Sequence, residues 1–210
     1  MKIDTIIFDL GGVLVSDATI YSKKKLCDFS EVLKLSGVKY NDAKKLWISH
    51  WHNMKYGNED LSNFWKDFKP LIKTDFSLSK VIKKYESKII KDKDMFLFAN
   101  KLKKSFTLFA LANESRTGID LKIKKFKLNS LFKKVYCSAY LNMAKPNKDI
   151  FKYVIKDSKI DINKTIFIDN QIENIIAAES VGIKSILYKN IKQLKKDLYK
   201  FKLIDKKDLL

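Results

Sequence analysis

The sequence predicts an α/β fold in which a parallel sheet with helices on both faces is interrupted by a four-helix cap inserted after the first strand. Two observations carry this. Five short apolar runs of strand character lie along the chain, and the last four are separated by segments of ten or more residues with helical character, the alternation that builds parallel sheets. Between the first and second runs the apolar residues recur three and four apart instead, which is the helical period. Residues 1–15 and 91–210 are therefore assigned to the core domain, and residues 16–90 to the helical cap domain.

The first strand covers residues 3–8 and ends in Asp9, followed by Leu10 and the pair Gly11-Gly12, so a buried strand delivers one carboxylate to a glycine-rich turn. Four helical sets follow: Leu26, Phe29, Val32 and Leu33; Leu46, Trp47, Trp51 and Met54; Leu61, Phe64, Trp65 and Phe68; Val81, Ile82 and Tyr85. A further helix is expected near 93–103. The remaining strands are expected at 106–112, 135–138, 165–169 and 184–188. No low-complexity linker or internal repeat divides the chain, and Pro70 and Pro146 are its only prolines.

The 210 residues, 46% hydrophobic and 32% charged, suffice for one substantial core and exclude a disordered chain, a collagen or a disulfide scaffold. Lys and Arg outnumber Asp and Glu by 43 to 24, a formal charge of +19, which invites nucleic acid or an anionic surface as partner. Arg116 is the sole arginine, however, whereas phosphate-reading surfaces favour the bidentate guanidinium. Compositional bias explains the lysines better, and nucleic acid is not the expected partner. Cys27 and Cys137 stand far apart and suggest neither a disulfide framework nor a thiolate metal site. With no signal peptide and no apolar run near the roughly 18 residues of a membrane span, a cytoplasmic protein with no membrane partner is expected, as a monomer or homodimer.

In an open parallel sheet, ligands bind outside the carboxyl ends of the strands. Those ends present Asp9, Asn113, Lys145 and Asp169. Two carboxylates and a lysine suit a divalent cation and a phosphoryl group, because hard oxygens hold Mg²⁺ and the ammonium neutralises the anion. The Gly11-Gly12 turn is expected to turn backbone N–H groups toward phosphate oxygens. His50 and His52, two apart on a helix, face different directions and do not share a metal. Trp47 and Trp51, at i and i+4, are expected in the cap core rather than as a substrate platform.

Four ordered segments resemble the motifs of the haloacid dehalogenase-like hydrolase superfamily: Phe8-Asp9-Leu10-Gly11-Gly12-Val13-Leu14, Leu111-Ala112-Asn113, Ala144-Lys145-Pro146 with Ile150-Phe151, and Phe167-Ile168-Asp169-Asn170 with Glu173-Asn174 and Ala177-Ala178. The resemblance spans residues 3 to about 190 and implies a Rossmann-like core with the helical cap after the first strand. Lys55-Tyr56-Gly57-Asn58 with Phe64-Trp65, and Arg116 after the second motif, are similar to a sugar-phosphatase-like branch that carries glycine two residues after the nucleophile. By this resemblance the protein is a Mg²⁺-dependent phosphatase of a small phosphorylated metabolite, acting through an aspartyl-phosphate. Asp9 is implied as nucleophile, with Asp9, the Gly11 carbonyl and Asp169 holding Mg²⁺ and Lys145 neutralising Asp9 and the transferring phosphoryl group. Leu10, Gly11, Asn113 and Arg116 are assigned to the substrate, with Asn113 using its backbone N–H and its side chain, while Glu173 and Asn174 buttress the metal loop.

Three positions depart from the family pattern. Gly11 stands where the commonest first motif has a second aspartate, the acid–base group, whose absence forfeits ~10²–10⁴ in rate. Ala112 replaces a Ser or Thr, removing a hydroxyl hydrogen bond of about 1–3 kcal/mol when buried. Asn170 replaces the second acid of the fourth motif. These departures define the alternative, a catalytically impaired relative that binds a phosphate ligand or regulates. A metal-independent dehalogenase is disfavoured because Asp169 is retained.

Overall fold

The computed structural model describes residues 2–16 and 29–209. Its elements run in the order β1 (Thr5–Phe8), α1 (Ser30–Ser36), α2 (Tyr40–Lys55), α3 (Leu61–Phe68), α4 (Leu78–Lys88), α5 (Lys93–Leu102), β2 (Thr107–Ala112), α6 (Arg116–Phe126), α7 (Leu128–Leu131), β3 (Lys134–Cys137), α8 (Ser138–Leu141), α9 (Lys148–Ser158), β4 (Thr165–Asp169), α10 (Ile172–Glu179), β5 (Lys184–Leu187) and α11 (Ile191–Lys200). The five strands form one parallel sheet in the order β3-β2-β1-β4-β5. This is a Rossmann-like α/β fold with the four helices α1–α4 inserted after the central strand.

Side chains of a strand alternate between the two faces of its sheet, and here both faces are covered. Ile6, Phe8, Leu108, Ala110, Ile166 and Ile168 join one core cluster with Ala99 and Leu102 of α5 and Leu194 and Leu198 of α11. Ile7, Phe109, Leu111 and Phe167 join a second with Phe151 of α9 and Ile175 and Ala178 of α10. Burial on two faces removes the polar alternation of a half-exposed strand, which is why these strands read as unbroken apolar runs.

The helical insert has its own aromatic interior. Leu61, Phe64, Trp65 and Phe68 are all buried on one face of α3, and Phe64 packs against Trp47 and Trp65 with ring centroids 5.1 and 4.9 Å apart. Asp60 and Asn63 form a reciprocal capping box that starts this helix. The two crossings between insert and sheet run side by side: Ser16 N donates to Ile90 O (2.7 Å), and Asp92 N to Leu14 O (2.9 Å). The Ser16 hydroxyl also accepts from Ile90 N at 2.9 Å.

The structure shifts some sequence expectations locally. Ser138 opens the short helix α8 instead of ending β3, and α1 starts at Ser30, with Phe29 as its N-cap. Leu26 and Cys27 lie outside the described residues. Cys137 is buried, and burial pushes its thiol up to about 12.

Candidate active site

The site lies where the three central strands end together. In register, Phe8 of β1 pairs with Ala110 of β2 and with Ile168 of β4, so the residues that follow, Asp9, Leu111 and Asp169, emerge side by side. Asp9 N donates to Ile168 O at 2.8 Å, extending the ladder one residue beyond β1. Sequence-distant groups thus meet because parallel strands carry their carboxyl ends to one edge.

Lys145 enters from the segment before α9 and is fully engaged. Its Nζ lies 2.7 Å from Asp9 Oδ1, 2.7 Å from Asp169 Oδ2 and 2.8 Å from Leu111 O, which uses all three ammonium donors. Asn113 fixes the lysine backbone: its Nδ2 donates to Lys145 O (2.8 Å) and its Oδ1 accepts from Lys145 N (2.9 Å). That pair ties the Asn113 side chain to the lysine backbone through one of its two Nδ2 donors, and Asn113 itself lines the cleft above these groups. Asp169 is held from its other side, with Oδ1 accepting from Gln171 N (2.8 Å) and Oδ2 from Asn174 Nδ2 (2.9 Å). Asn174 is buried and Glu173 exposed.

Two carboxylates and one ammonium, all buried, leave this cluster one negative charge in excess. Burial pushes the Asp9 carboxyl up to about 7, the Lys145 ammonium opposes that rise and the Asp169 carboxylate adds to it. Burial works against the Lys145 charge too, but Asp169 and Asp9 outweigh it and hold its pKa above the ordinary lysine value. An additional cation would relieve the excess and stabilise ionised Asp9.

The donor set fits Mg²⁺. Among the described residues no three His, Cys, Asp or Glu side chains cluster as a metal cage, but Mg²⁺ is held by one or two carboxylates with water and substrate oxygens. Asn170 Oδ1 is buried without a hydrogen-bond partner, an acceptor suited to a metal-bound water. Asn170 is pinned against the first turn: a Cβ at Gly12, whose φ is +73°, would meet its Nδ2 at 2.4 Å, so glycine is needed there on two counts.

The turn itself narrows one expectation. Gly12 N donates to Val15 O at 2.8 Å, and the Val13, Leu14 and Val15 amides all bond back to Leu10 O. The Gly12 N–H is therefore spent inside the turn, leaving Leu10 and Gly11 as the residues there whose N–H groups are candidates for phosphate.

Above these groups lies a cleft of about 400 Å³ whose floor includes Asp9, Gly11 and Lys145 and whose wall includes Trp47, Trp51 and Lys55 of α2. Trp47 and Trp51 stack with centroids 5.7 Å apart and an interplanar angle of 15°. Trp47 is core, as expected, yet both rings also line the cleft. Glu114 and the buried Lys122 form an ion pair on the same wall. Neither was legible as a site residue: Glu114 had adjacency to the second motif as its only signal, and Lys122 is one lysine among many. Arg116 does not line the cleft. Its guanidinium lies beside Gly57, where an added Cβ would be 2.7 Å away, and 6.0 Å from the Tyr140 ring. A larger cavity, about 650 Å³, lies apart between α5, α11 and the C-terminal segment and contains none of the strand-end groups.

Comparison with known proteins agrees with this architecture. A HAD family enzyme of Bacteroides thetaiotaomicron, solved as a magnesium complex, superposes with a TM-score of 0.73 at 23% identity, over 90% of this chain and 94% of that one. A HAD phosphatase of Thermococcus onnurineus gives 0.62 at 18% identity, over 90% and 87%. Among curated proteins, the drimenol cyclase drtB of Aspergillus calidoustus is 27% identical over 94 residues, 45% of this chain and 18% of that protein. The sesquiterpene phosphatase astK of Aspergillus oryzae is 38% identical over 53 residues, 25% of this chain and 27% of that protein. The chain thus matches about a quarter or less of the length of these curated relatives. The family model for haloacid dehalogenase-like hydrolases matches residues 6–188, and the chain belongs to that family.

Proposed function

We propose that this hydrolase is a Mg²⁺-dependent phosphatase of a small phosphorylated metabolite, with Asp9 as the nucleophile. The observation that carries the reading is the Lys145 ammonium bridging Asp9 and Asp169 on the floor of a cleft walled in part by α2. That one of the curated relatives is a phosphatase agrees with it.

Each residue then has a physical task. Asp9 attacks phosphorus and carries the phosphoryl group until water removes it. Lys145 orients Asp9 and places fixed positive charge where the transferring group gathers negative charge, with no reorganisation needed during the reaction. Asp9, the Gly11 carbonyl and Asp169 would hold Mg²⁺, which when bound supplies Lewis-acid stabilisation of the phosphoryl oxygens. Asn113 and Asn174 keep Lys145 and Asp169 in place, and the Leu10 and Gly11 N–H groups contact phosphate. The helical insert limits access and shapes the pocket for the leaving group. Among the described residues no helix is long and apolar enough to cross a membrane, and a cytoplasmic protein acting as monomer or homodimer, with no nucleic-acid partner, completes the reading.

The test is phosphate release from a panel of metabolite phosphates with Mg²⁺, comparing wild type with Asp9→Asn. Release by the wild type that the substitution abolishes supports the assignment, and release that survives it refutes Asp9 as nucleophile. The departures at Gly11, Ala112 and Asn170 favour a second reading, a phosphate-ligand binder without turnover. Saturable phosphate or Mg²⁺ binding with no release across the panel selects that one.

A further inference from the structure

We propose that the Glu114–Lys122 pair supplies the proton that Gly11 cannot, with Lys122, on the α6 wall of the cleft, as the proton-carrying group. The inference rests on the phosphatase reading and deepens it.

Hydrolysis of an alkyl phosphate expels an alkoxide, a poor leaving group unless it is protonated as the P–O bond breaks. Glycine at position 11 has nothing to donate. The titratable side chains lining the cleft are Asp9, Lys145, Lys55, Glu114 and Lys122. Asp9 is the nucleophile, and the three donors of Lys145 are committed to Asp9, Asp169 and Leu111 O. Lys55 is half-buried on the insert, with its Nζ 5.4 Å from the Tyr56 ring. Lys122 is buried, its side chain 6% exposed, and is ion-paired to Glu114 at 14%.

The pair is built into the wall. Glu114 is positioned by Ser115, whose N donates to Glu114 Oε1 at 3.0 Å, and its N donates to the Ser138 hydroxyl at 3.0 Å. Its carboxylate lies flat on α6 at Gly118, where an added Cβ would meet Oε1 at 2.5 Å. Helical glycine costs roughly 0.5–1 kcal/mol relative to alanine, so space for this carboxylate is kept against local helix stability. A buried ion pair also confers little stability over an apolar pair of the same shape, so its place in the cleft is better explained by chemistry than by folding.

In the first half-reaction an Asp9 oxygen bonds to phosphorus, the P–O bond to the leaving group breaks, and its electron pair takes a proton from Lys122 Nζ, releasing the neutral alcohol. In the second, water attacks phosphorus, the P–O bond to Asp9 breaks, and the water's proton passes to the Lys122 amine, restoring the ammonium. Glu114 balances the lysine charge and holds its stem.

The test compares an aryl phosphate with a good leaving group, p-nitrophenyl phosphate, with an alkyl phosphate such as glycerol phosphate. The variants are Lys122→Met and the double replacement Glu114→Leu/Lys122→Met, which leaves no unpaired charge and keeps the measurement interpretable if Lys122→Met unfolds. Expected is a ~10²–10⁴-fold loss of kcat/KM on the alkyl ester with at most a few-fold loss on the aryl ester. Equal loss on both esters, or loss on neither, overturns the proton-carrier role while leaving the phosphatase reading intact. A wild type that hydrolyses neither ester nor any member of the metabolite panel contradicts both.

Discussion

The helical insert and the carboxyl edge of the sheet are both buried, but for opposite reasons. In the insert, Trp47, Phe64, Trp65 and Phe68 are packed edge to face, and removing them from water stabilises the fold by roughly 1.5–3 kcal/mol per large side chain. At the sheet edge, Asp9, Lys145 and Asp169 are as deeply buried, and their desolvation costs several kcal/mol per ion before their mutual attraction offsets it. Burial that lowers free energy marks architecture. Burial that raises it, held in place by strand geometry, marks chemistry. Substitutions should therefore separate the two regions, stability falling in one and activity in the other.

The largest separation is expected at Asp9. Asp9→Asn removes the nucleophile and should lower phosphate release by ~10⁴-fold or more, the scale seen when a nucleophile is deleted. Because it also removes the excess negative charge from a buried cluster, the melting temperature should hold or rise, which thermal unfolding would show. Phe64→Ala reverses the pattern, with a loss of about 3–5 kcal/mol of stability, measured by denaturant unfolding. Lys145→Met breaks the distinction deliberately: it abolishes turnover and also leaves two facing buried carboxylates without their cation, a cost of about 3–5 kcal/mol.

Smaller effects sharpen the same comparison. Mg²⁺ should raise the melting temperature of the wild type and not of Asp169→Asn. With Asp9 pushed up to about 7, protons compete with the metal, so the Mg²⁺ shift should be greater at pH 8 than at pH 5.5. A binding shift that is the same at both pH values would place the metal elsewhere. In the insert, hydrogen bonds from Lys84 and Lys88 lower Glu31 to about 2. Its contribution to stability is then present above its unfolded value near 4.5 and is lost as pH falls toward 2. Glu31→Gln should flatten that acid limb in a pH series of unfolding curves. Least of all, native Cys137 should resist alkylation at pH 8, its thiol being buried and pushed up to about 12. Peptide mapping after iodoacetamide treatment would show labelling at that residue only in denaturant.

The same contrast explains what the sequence could reveal. The strands are legible because burial on both faces turns them into apolar runs, and the insert because Leu61, Phe64, Trp65 and Phe68 keep one helical face. Asp9, Lys145 and Asp169 are legible because each stands at a strand end or in a motif, even though their 2.7 Å contacts join residues 24 and 136 positions apart. The commitment of Gly12 N–H to Val15 and of the Asn113 amide to the Lys145 backbone depends on three-dimensional closure, for which residue type carries no signal. Lys122 was hidden by composition: in a chain with 43 basic residues, a buried lysine looks like its exposed neighbours. Arg116 was assigned to the substrate by resemblance alone, and the fold sets its guanidinium beside Gly57 and Tyr140.

The central claim is that Asp9 becomes phosphorylated, and trapping that acyl phosphate tests it most directly. The wild type, mixed with Mg²⁺ and a turned-over phosphate ester, is acid-quenched and treated with borohydride, which reduces an aspartyl-phosphate to homoserine. Mass spectrometry of the peptide containing Asp9 should show conversion at that residue, absent without substrate. Turnover with no conversion at Asp9, or with conversion at another carboxylate, would contradict the account.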